Sequence, residues 1–189
     1  VLMLFVPFSR MYLGVHTPLD VSVGFVTALA LAAALYPAFR SDARAKTWTP
    51  RLLGAMLVFC AAFLVYAVWQ SRCDWPAESE ALMNVEHGLK NAYTMAGAVL
   101  GFIVVYLADE KKLHFDVRAP LLGQIMKLVP GLGLIIGIKA GLKPLTTAIF
   151  NGSQAESLVR YFIIVIFAGI VWPLTFPLFA KLGGKGKRA

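Results

Sequence analysis

Four long stretches of the sequence contain no charged residue, and they constrain the fold more than any other feature. The stretches are Val21 to Phe39, Leu52 to Ser71, Asn91 to Ala108 and Tyr161 to Ala180. Each is close to the ~20 residues that an α-helix needs to cross the hydrocarbon core of a bilayer. None shows the polar–apolar alternation that is typical of membrane β-strands. The sequence therefore predicts an all-α, polytopic transmembrane helical bundle.

The composition argues against an ordinary soluble domain. Of the 189 residues, 59% are hydrophobic and 15% are charged, whereas a soluble domain carries about 25% charged residues. A net charge of +8 would suggest nucleic-acid binding in a soluble protein, but no basic and aromatic groove pattern accompanies it. We expect membrane lipid to be the partner and expect no nucleic acid. The sequence does not indicate an oligomeric state.

Two further apolar segments are less regular. Residues 1–8 are too few to cross a membrane, and we interpret them as the end of a helix that begins before this chain. Residues 121–150 are apolar but contain Pro130, Pro144 and several glycines and lysines. Because proline removes a backbone donor and clashes with the preceding turn, this pattern predicts either one broken span or an interfacial stretch followed by a span.

The distribution of Lys and Arg predicts how the chain crosses the membrane, because cytoplasmic loops carry an excess of these residues. Residues 40–51, the cluster around 111–118 and the C-terminal tail are basic, and residues 72–90 are mostly acidic. We therefore expect the three basic regions inside and residues 72–90 outside. In this arrangement Val21 to Phe39 runs from outside to inside, and the residues just before it lie at the extracytoplasmic surface.

Polar residues are concentrated just before that first complete span, in the stretch SRMYLGVHTPLD. One interpretation is local: Thr17 caps the helix, Pro18 takes its first position and Asp20 completes a capping box. The other interpretation is a site, in which His16 precedes a helix N-terminus that favours anions. Arg10 then supplies a fork suited to phosphate oxygens, and Asp20 orients the His16 imidazole. Together these residue types indicate phosphoryl transfer onto a histidine.

The spacing Ser9-Arg10-x5-His16-x3-Asp20 resembles the third signature motif of the type 2 phosphatidic acid phosphatase superfamily. The resemblance implies that His16 is the nucleophile that forms a phosphohistidine and that Asp20 orients it. It further implies that Arg10 and Ser9 bind phosphate and that no metal or other cofactor is needed. It also implies a bacterial plasma-membrane location, with the motif on the extracytoplasmic side and a lipid phosphate or isoprenoid (polyprenyl) diphosphate as substrate.

The family has two further motifs, K-x6-R-P and P-S-G-H, and neither precedes Ser9 in this sequence. Lys111 and Arg118 imitate the first of them, but Ala119 stands where the motif has proline, and we interpret this likeness as coincidence. We therefore expect residues 1–39 to be the C-terminal part of a phosphatase core. This segment alone is expected to be nearly inactive.

The remaining residues, 40–189, are expected to be a transmembrane extension with segments at about 52–71, 91–108, 121–150 and 161–180. The function predicted is hydrolysis of a lipid phosphate or isoprenoid diphosphate. The alternative is a non-catalytic membrane transporter or scaffold for anionic lipids, favoured by the interrupted segment with Lys139 and Lys143. A truncated, non-catalytic relative of the phosphatases is a third possibility. The sequence does not identify the lipid.

Overall fold

The computed structural model describes residues 2–14, 17–77, 79–113 and 120–180, and every regular element in these ranges is a helix. These ranges contain seven α-helices in chain order. They are α1 (Leu2–Tyr12), α2 (Pro18–Phe39), α3 (Asp42–Gln70), α4 (Glu80–Ala108), α5 (Leu121–Phe150), α6 (Ala155–Ile166) and α7 (Phe176–Ala180). A π-helical turn, Asp109–Leu113, follows α4. Between α6 and α7 the chain passes through a π-helical segment, Phe167–Val171, and a short 3₁₀ turn.

The predicted all-α, polytopic architecture is confirmed, because the described part of the chain contains five helical segments long and apolar enough to cross a membrane. These segments are Pro18–Phe39, Asp42–Gln70, Glu80–Lys111, Leu122–Phe150 and Ala155–Phe179. Several begin earlier than the uncharged stretches do. Residues 42–51, expected to be part of an inner loop, form the first turns of α3. Charged side chains at a helix end can reach water while the backbone stays helical, so the absence of charge marks the centre of a span better than its ends.

The expectation of a broken segment at 121–150 is wrong. Helix α5 runs without interruption for 30 residues and contains both Pro130 and Pro144. Membrane helices tolerate proline where neighbouring groups satisfy the backbone that proline frees. In the turn before Pro130, the indole Nε1 of Trp172 donates a 3.1 Å hydrogen bond to the carbonyl oxygen of Lys127. A second helical segment therefore contacts the backbone of α5 in the turn before its first proline.

The chain divides into two compact units, residues 1–52 and residues 53–189. The first unit contains α1 and α2, which contact each other. The second contains α4 to α7, with its most extensive contacts between α4 and α6 and further contacts between α5 and α6.

Helices α4 and α6 run parallel and approach closely because glycines lie between them. A Cβ atom at Gly97 would collide with the backbone carbonyl of Leu158, and one at Gly101 would be 2.8 Å from Cβ of Val165. Ala92 and Ala96 are also buried on α4. Small residues of this kind let membrane helices pack backbone to backbone, where van der Waals contact is the main source of association.

Helix α5 runs antiparallel to α6. The turn between them begins at Asn151, which takes the left-handed conformation (φ 49°) and ends α5. At one end of the pair, Oγ1 of Thr147 donates a 2.6 Å hydrogen bond to Oε2 of Glu156. Toward the other end, Trp172 packs over Gly131, where a Cβ atom would be 2.6 Å from the indole nitrogen. Trp172 therefore links two helical segments.

Candidate functional site

Of the predicted site residues, Ser9, Arg10 and Asp20 lie at one end of the α1–α2 pair. Ser9 and Arg10 lie in the last turn of α1, and the carbonyl oxygen of Ser9 accepts a 3.0 Å hydrogen bond from the amide of Leu13. Gly14 then reverses the chain with φ +66°, a conformation that glycine adopts without steric cost. Asp20 lies in the first turn of α2. A chain reversal thus joins the two halves of the motif.

The start of α2 is a complete capping box, which confirms the local interpretation of Thr17, Pro18 and Asp20. Oγ1 of Thr17 accepts a 3.2 Å hydrogen bond from the amide of Asp20. Oδ2 of Asp20 accepts hydrogen bonds from the amide of Thr17 at 3.0 Å and from its hydroxyl at 2.8 Å. The helix begins at Pro18, earlier than the uncharged stretch that starts at Val21. The Asp20 carboxylate is therefore held beside Thr17, the residue that follows His16 in sequence.

An apolar groove of about 450 Å³ lies between α1 and α2. Its lining residues are Phe5, Pro7, Phe8, Met11, Val21, Ser22 and Phe25. Phe8 and Met11 flank Ser9 and Arg10 in sequence, and Val21 follows Asp20, so the groove adjoins the motif. Phe5 and Phe8 are more than half exposed, which leaves the groove open along the helices.

His16, the predicted nucleophile, lies outside the described residues. For Arg10 the structure gives the helical position alone. Ser9 and Asp20 are exposed. The structure thus places Ser9, Arg10 and Asp20 at one end of a helix pair, and the roles assigned to all four residues stay predictions. Within the described part of the chain, no group of three or more His, Cys, Asp or Glu side chains could hold a metal ion.

A buried polar network at the start of α6 escaped the sequence analysis. Nη1 of Arg160 forms a 3.1 Å salt bridge with Oε1 of Glu156, and Nη2 donates to Oγ of Ser157 at 3.2 Å. The side chains of Arg160 and Glu156 are 6% and 13% exposed. Because Thr147 of α5 also binds Glu156, the network joins α5 to α6. The signal in the sequence is the acid–base pair at i and i+4, a spacing that brings side chains together on a helix.

The two lysines that favoured a transporter lie on the exposed surface of α5. Lys139 and Lys143 are both exposed, and Nζ of Lys139 is 5.9 Å from the ring centroid of Tyr161. Glycines 133, 137 and 141 on the same helix face open space, with no atom near a Cβ placed there. Since α5 is continuous, the interrupted span that supported the transporter hypothesis is not present.

The apolar helices define the class of this protein as integral membrane. Comparison with protein-family models gives a match over residues 93–185 to the family described as PAP2 superfamily phosphatase, transmembrane extension. The match covers about half of the 189 residues, and the chain belongs to the PAP2 superfamily, the type 2 phosphatidic acid phosphatases that the motif resembles. Comparisons with curated proteins and with solved structures give no match.

The family match and the motif are independent observations, because they use different parts of the chain. The motif lies within residues 9–20, and the match begins at residue 93, in the middle of α4. The match includes α5, α6 and α7. The sequence predicted no more than a membrane extension for these residues. They are nevertheless the part of the chain that identifies the family.

Proposed function

We propose that this protein is a membrane phosphatase that removes phosphate from a lipid phosphate or isoprenoid diphosphate through a phosphohistidine on His16. The observation that carries the proposal is the motif Ser9-Arg10-x5-His16-x3-Asp20, at a reversal between two helices, in a chain whose distant C-terminal part matches a phosphatase family.

The local structure supports the role of Asp20, and the residue types and their spacing support the roles of the others. The amide and hydroxyl of Thr17 fix the Asp20 carboxylate next to the His16–Thr17 peptide bond. A carboxylate that binds the His16 imidazole would select its tautomer and stabilise the cation that forms when the other nitrogen attacks. Arg10, in the last turn of α1, is near enough along the chain to bind the transferred phosphoryl group through its planar guanidinium. Ser9 supplies a hydroxyl donor beside it.

The reaction takes place in two steps. A nitrogen of His16 attacks phosphorus and forms a P–N bond, the bond from phosphorus to the leaving-group oxygen breaks, and that oxygen takes up a proton. Water then attacks the phosphohistidine, the P–N bond breaks, and inorganic phosphate leaves with the imidazole restored. In the family, the histidine of P-S-G-H protonates the leaving group. That motif and K-x6-R-P are not in this sequence before Ser9, so this segment alone is expected to turn over very slowly.

The apolar groove supports a substrate with a long apolar tail. A phosphate bound at the motif would place the attached chain at the start of the groove between α1 and α2, where Phe8, Met11 and Val21 lie. Burial of apolar carbon in such a groove is worth about 0.8 kcal/mol for each CH₂ group. The acidic 72–90 region and the basic regions at either side favour an extracytoplasmic position for the motif.

The experiment is a phosphate-release assay on the intact gene product in detergent micelles, with an isoprenoid diphosphate and a diacylglycerol phosphate as substrates. His16→Ala is expected to abolish turnover. His87→Ala is the matched control, because His87 is an exposed histidine on α4 and is expected to leave the rate unchanged. Normal turnover by His16→Ala would contradict the assignment of His16 as the nucleophile. Lipid flux in vesicles without phosphate release would instead support the transporter or scaffold.

A further inference from the structure

The second compact unit contains an amphiphilic cleft that the proposed phosphatase chemistry does not use. It has a volume of about 290 Å³ and lies between the N-terminal half of α5 and the segment around α7. Leu128, Leu132 and Ile135 form most of one wall, and Trp172 and Phe176 form the other. Gln124 and Lys127 also line the cleft, toward the beginning of α5.

Lys127 is 6% exposed, which is unusual for a lysine in a small helical bundle. Its Nζ is 4.6 Å from the ring centroid of Phe176, so the ammonium group lies on an aromatic face. The carbonyl oxygen of the same residue accepts the indole hydrogen bond of Trp172. Lys127 is thus fixed from two directions in a low-dielectric setting, where a positive charge attracts an anion more strongly than it does in water.

The residues that line the cleft indicate at which face of the membrane it lies, and therefore which anions are nearby. Gln124 and Lys127 are near the N-terminus of α5, just after the basic cluster that contains Lys111 and Lys112. The excess of Lys and Arg predicts that this end of the bundle is cytoplasmic. The cytoplasmic leaflet carries the anionic phospholipids of the membrane, and basic pockets between membrane helices are known binding places for their headgroups.

We propose that this cleft binds one anionic phospholipid, with the headgroup phosphate toward Lys127 and an acyl chain along Leu128, Leu132 and Ile135. Charge complementarity selects the headgroup, and the apolar walls take the chain. The binding site is separate from the motif in sequence and in compact unit, and it does not depend on the phosphatase assignment. Its occupant stabilises the contact between α5 and the Trp172–Phe176 segment.

The test uses Trp172 as a fluorescent probe within the cleft. The chain with Trp48, Trp69 and Trp75 replaced by Phe is reconstituted into phosphatidylcholine vesicles, and brominated phosphatidylglycerol or brominated phosphatidylcholine is added as a quencher. We expect the anionic lipid to quench Trp172 at about fivefold lower mole fraction, the preference expected of one basic residue near a membrane surface. Equal quenching by the two lipids, or no quenching by either, would overturn the proposal. This comparison needs no substitution in the cleft.

A matched set of lysine variants then separates this cleft from the general positive charge of the protein. Lys127→Gln is expected to abolish the preference for phosphatidylglycerol, and Lys127→Arg is expected to retain it. Lys143→Gln removes an exposed charge from the same helix and is expected to change nothing. Loss of the preference in Lys143→Gln, or its survival in a folded Lys127→Gln, contradicts a site at Lys127. Circular dichroism verifies the fold of each variant.

Discussion

Oδ2 of Asp20 accepts hydrogen bonds from both the amide and the hydroxyl of Thr17, at 3.0 Å and 2.8 Å. The carboxylate therefore caps α2 and at the same time is fixed beside the residue that follows the proposed nucleophile. These two tasks use different properties of the side chain. A cap needs a hydrogen-bond acceptor, whereas orienting and stabilising an imidazolium needs a negative charge.

Substitutions at Thr17 and Asp20 separate the two tasks. Thr17→Ala removes the hydroxyl from the capping box and is expected to lower the free energy of unfolding by about 1 kcal/mol, with most of the phosphatase activity retained. Asp20→Asn keeps an acceptor but loses the charge, so its stability is expected to change little. Its phosphate-release rate is expected to fall by a factor of about 100 or more. Thermal unfolding and phosphate release, measured on the same samples of intact gene product, check both expectations. If Asp20→Asn is as active as the parent, Asp20 caps α2 and does not orient the nucleophile.

The contact between Gly97 and Leu158 is expected to be essential for the pairing of α4 with α6. A methyl group at Gly97 collides with the Leu158 carbonyl, so Gly97→Ala must separate the helices, at a cost of about 1–3 kcal/mol. Gly137→Ala is the control, since a Cβ there meets nothing within 4 Å and alanine favours the helix. Denaturant unfolding in micelles measures both. A Gly97→Ala variant as stable as Gly137→Ala would be incompatible with the observed packing.

The Arg160–Glu156 pair is expected to show strong coupling, because both side chains are largely buried. Arg160→Met leaves the Glu156 carboxylate without its cation, which is expected to cost about 3 kcal/mol. The double variant Arg160→Met, Glu156→Gln contains no buried charge, and it is expected to regain part of that loss. Unfolding free energies of the single and double variants form a cycle that isolates the interaction. Strictly additive effects would show that the pair contributes no coupling.

The proposed orientation of the chain in the membrane can be tested by labelling its two cysteines. Cys73 is half-buried in the turn after α3, and Cys60 is buried within α3. A membrane-impermeant maleimide added to intact cells is expected to label Cys73 in the parent and in Cys60→Ser, but to label nothing in Cys73→Ser. Labelling of Cys73 that requires cell lysis would place residues 72–90 inside and the motif on the cytoplasmic face.

The parts of the fold that the sequence predicts depend on local patterns. Apolar length predicts four of the five spans, and the order Thr17, Pro18, Asp20 predicts the cap of α2, because each depends on residues within one short continuous segment. The bounds of α6 were missed because Glu156 and Arg160 interrupt the uncharged stretch. Inside the bundle they satisfy each other, and a sequence scan for charge does not detect that pairing.

Long-range contacts account for the rest. The continuity of α5 through Pro130 is associated with the indole of Trp172, 45 residues away from the carbonyl that it binds. The small residues of α4 have a partner at Leu158 and Val165 that no local pattern reveals. The motif itself was recognisable from its spacing, because its four residues all lie within residues 9–20. The remaining catalytic partners named by the family are not in this sequence before Ser9.

The most direct test of the central claim is to trap the covalent intermediate. The intact gene product is mixed with radiolabelled isoprenoid diphosphate or lipid phosphate, quenched in alkali within the first turnover, and analysed by peptide mass spectrometry. We predict one acid-labile, alkali-stable phosphoryl group on His16, absent from His16→Ala and unchanged in His87→Ala. Two results would contradict the assignment of His16 as the nucleophile, provided that the parent protein turns over substrate. One is a phosphoryl group on another residue. The other is that no phosphoryl group is trapped, even under conditions where release of product is slowed.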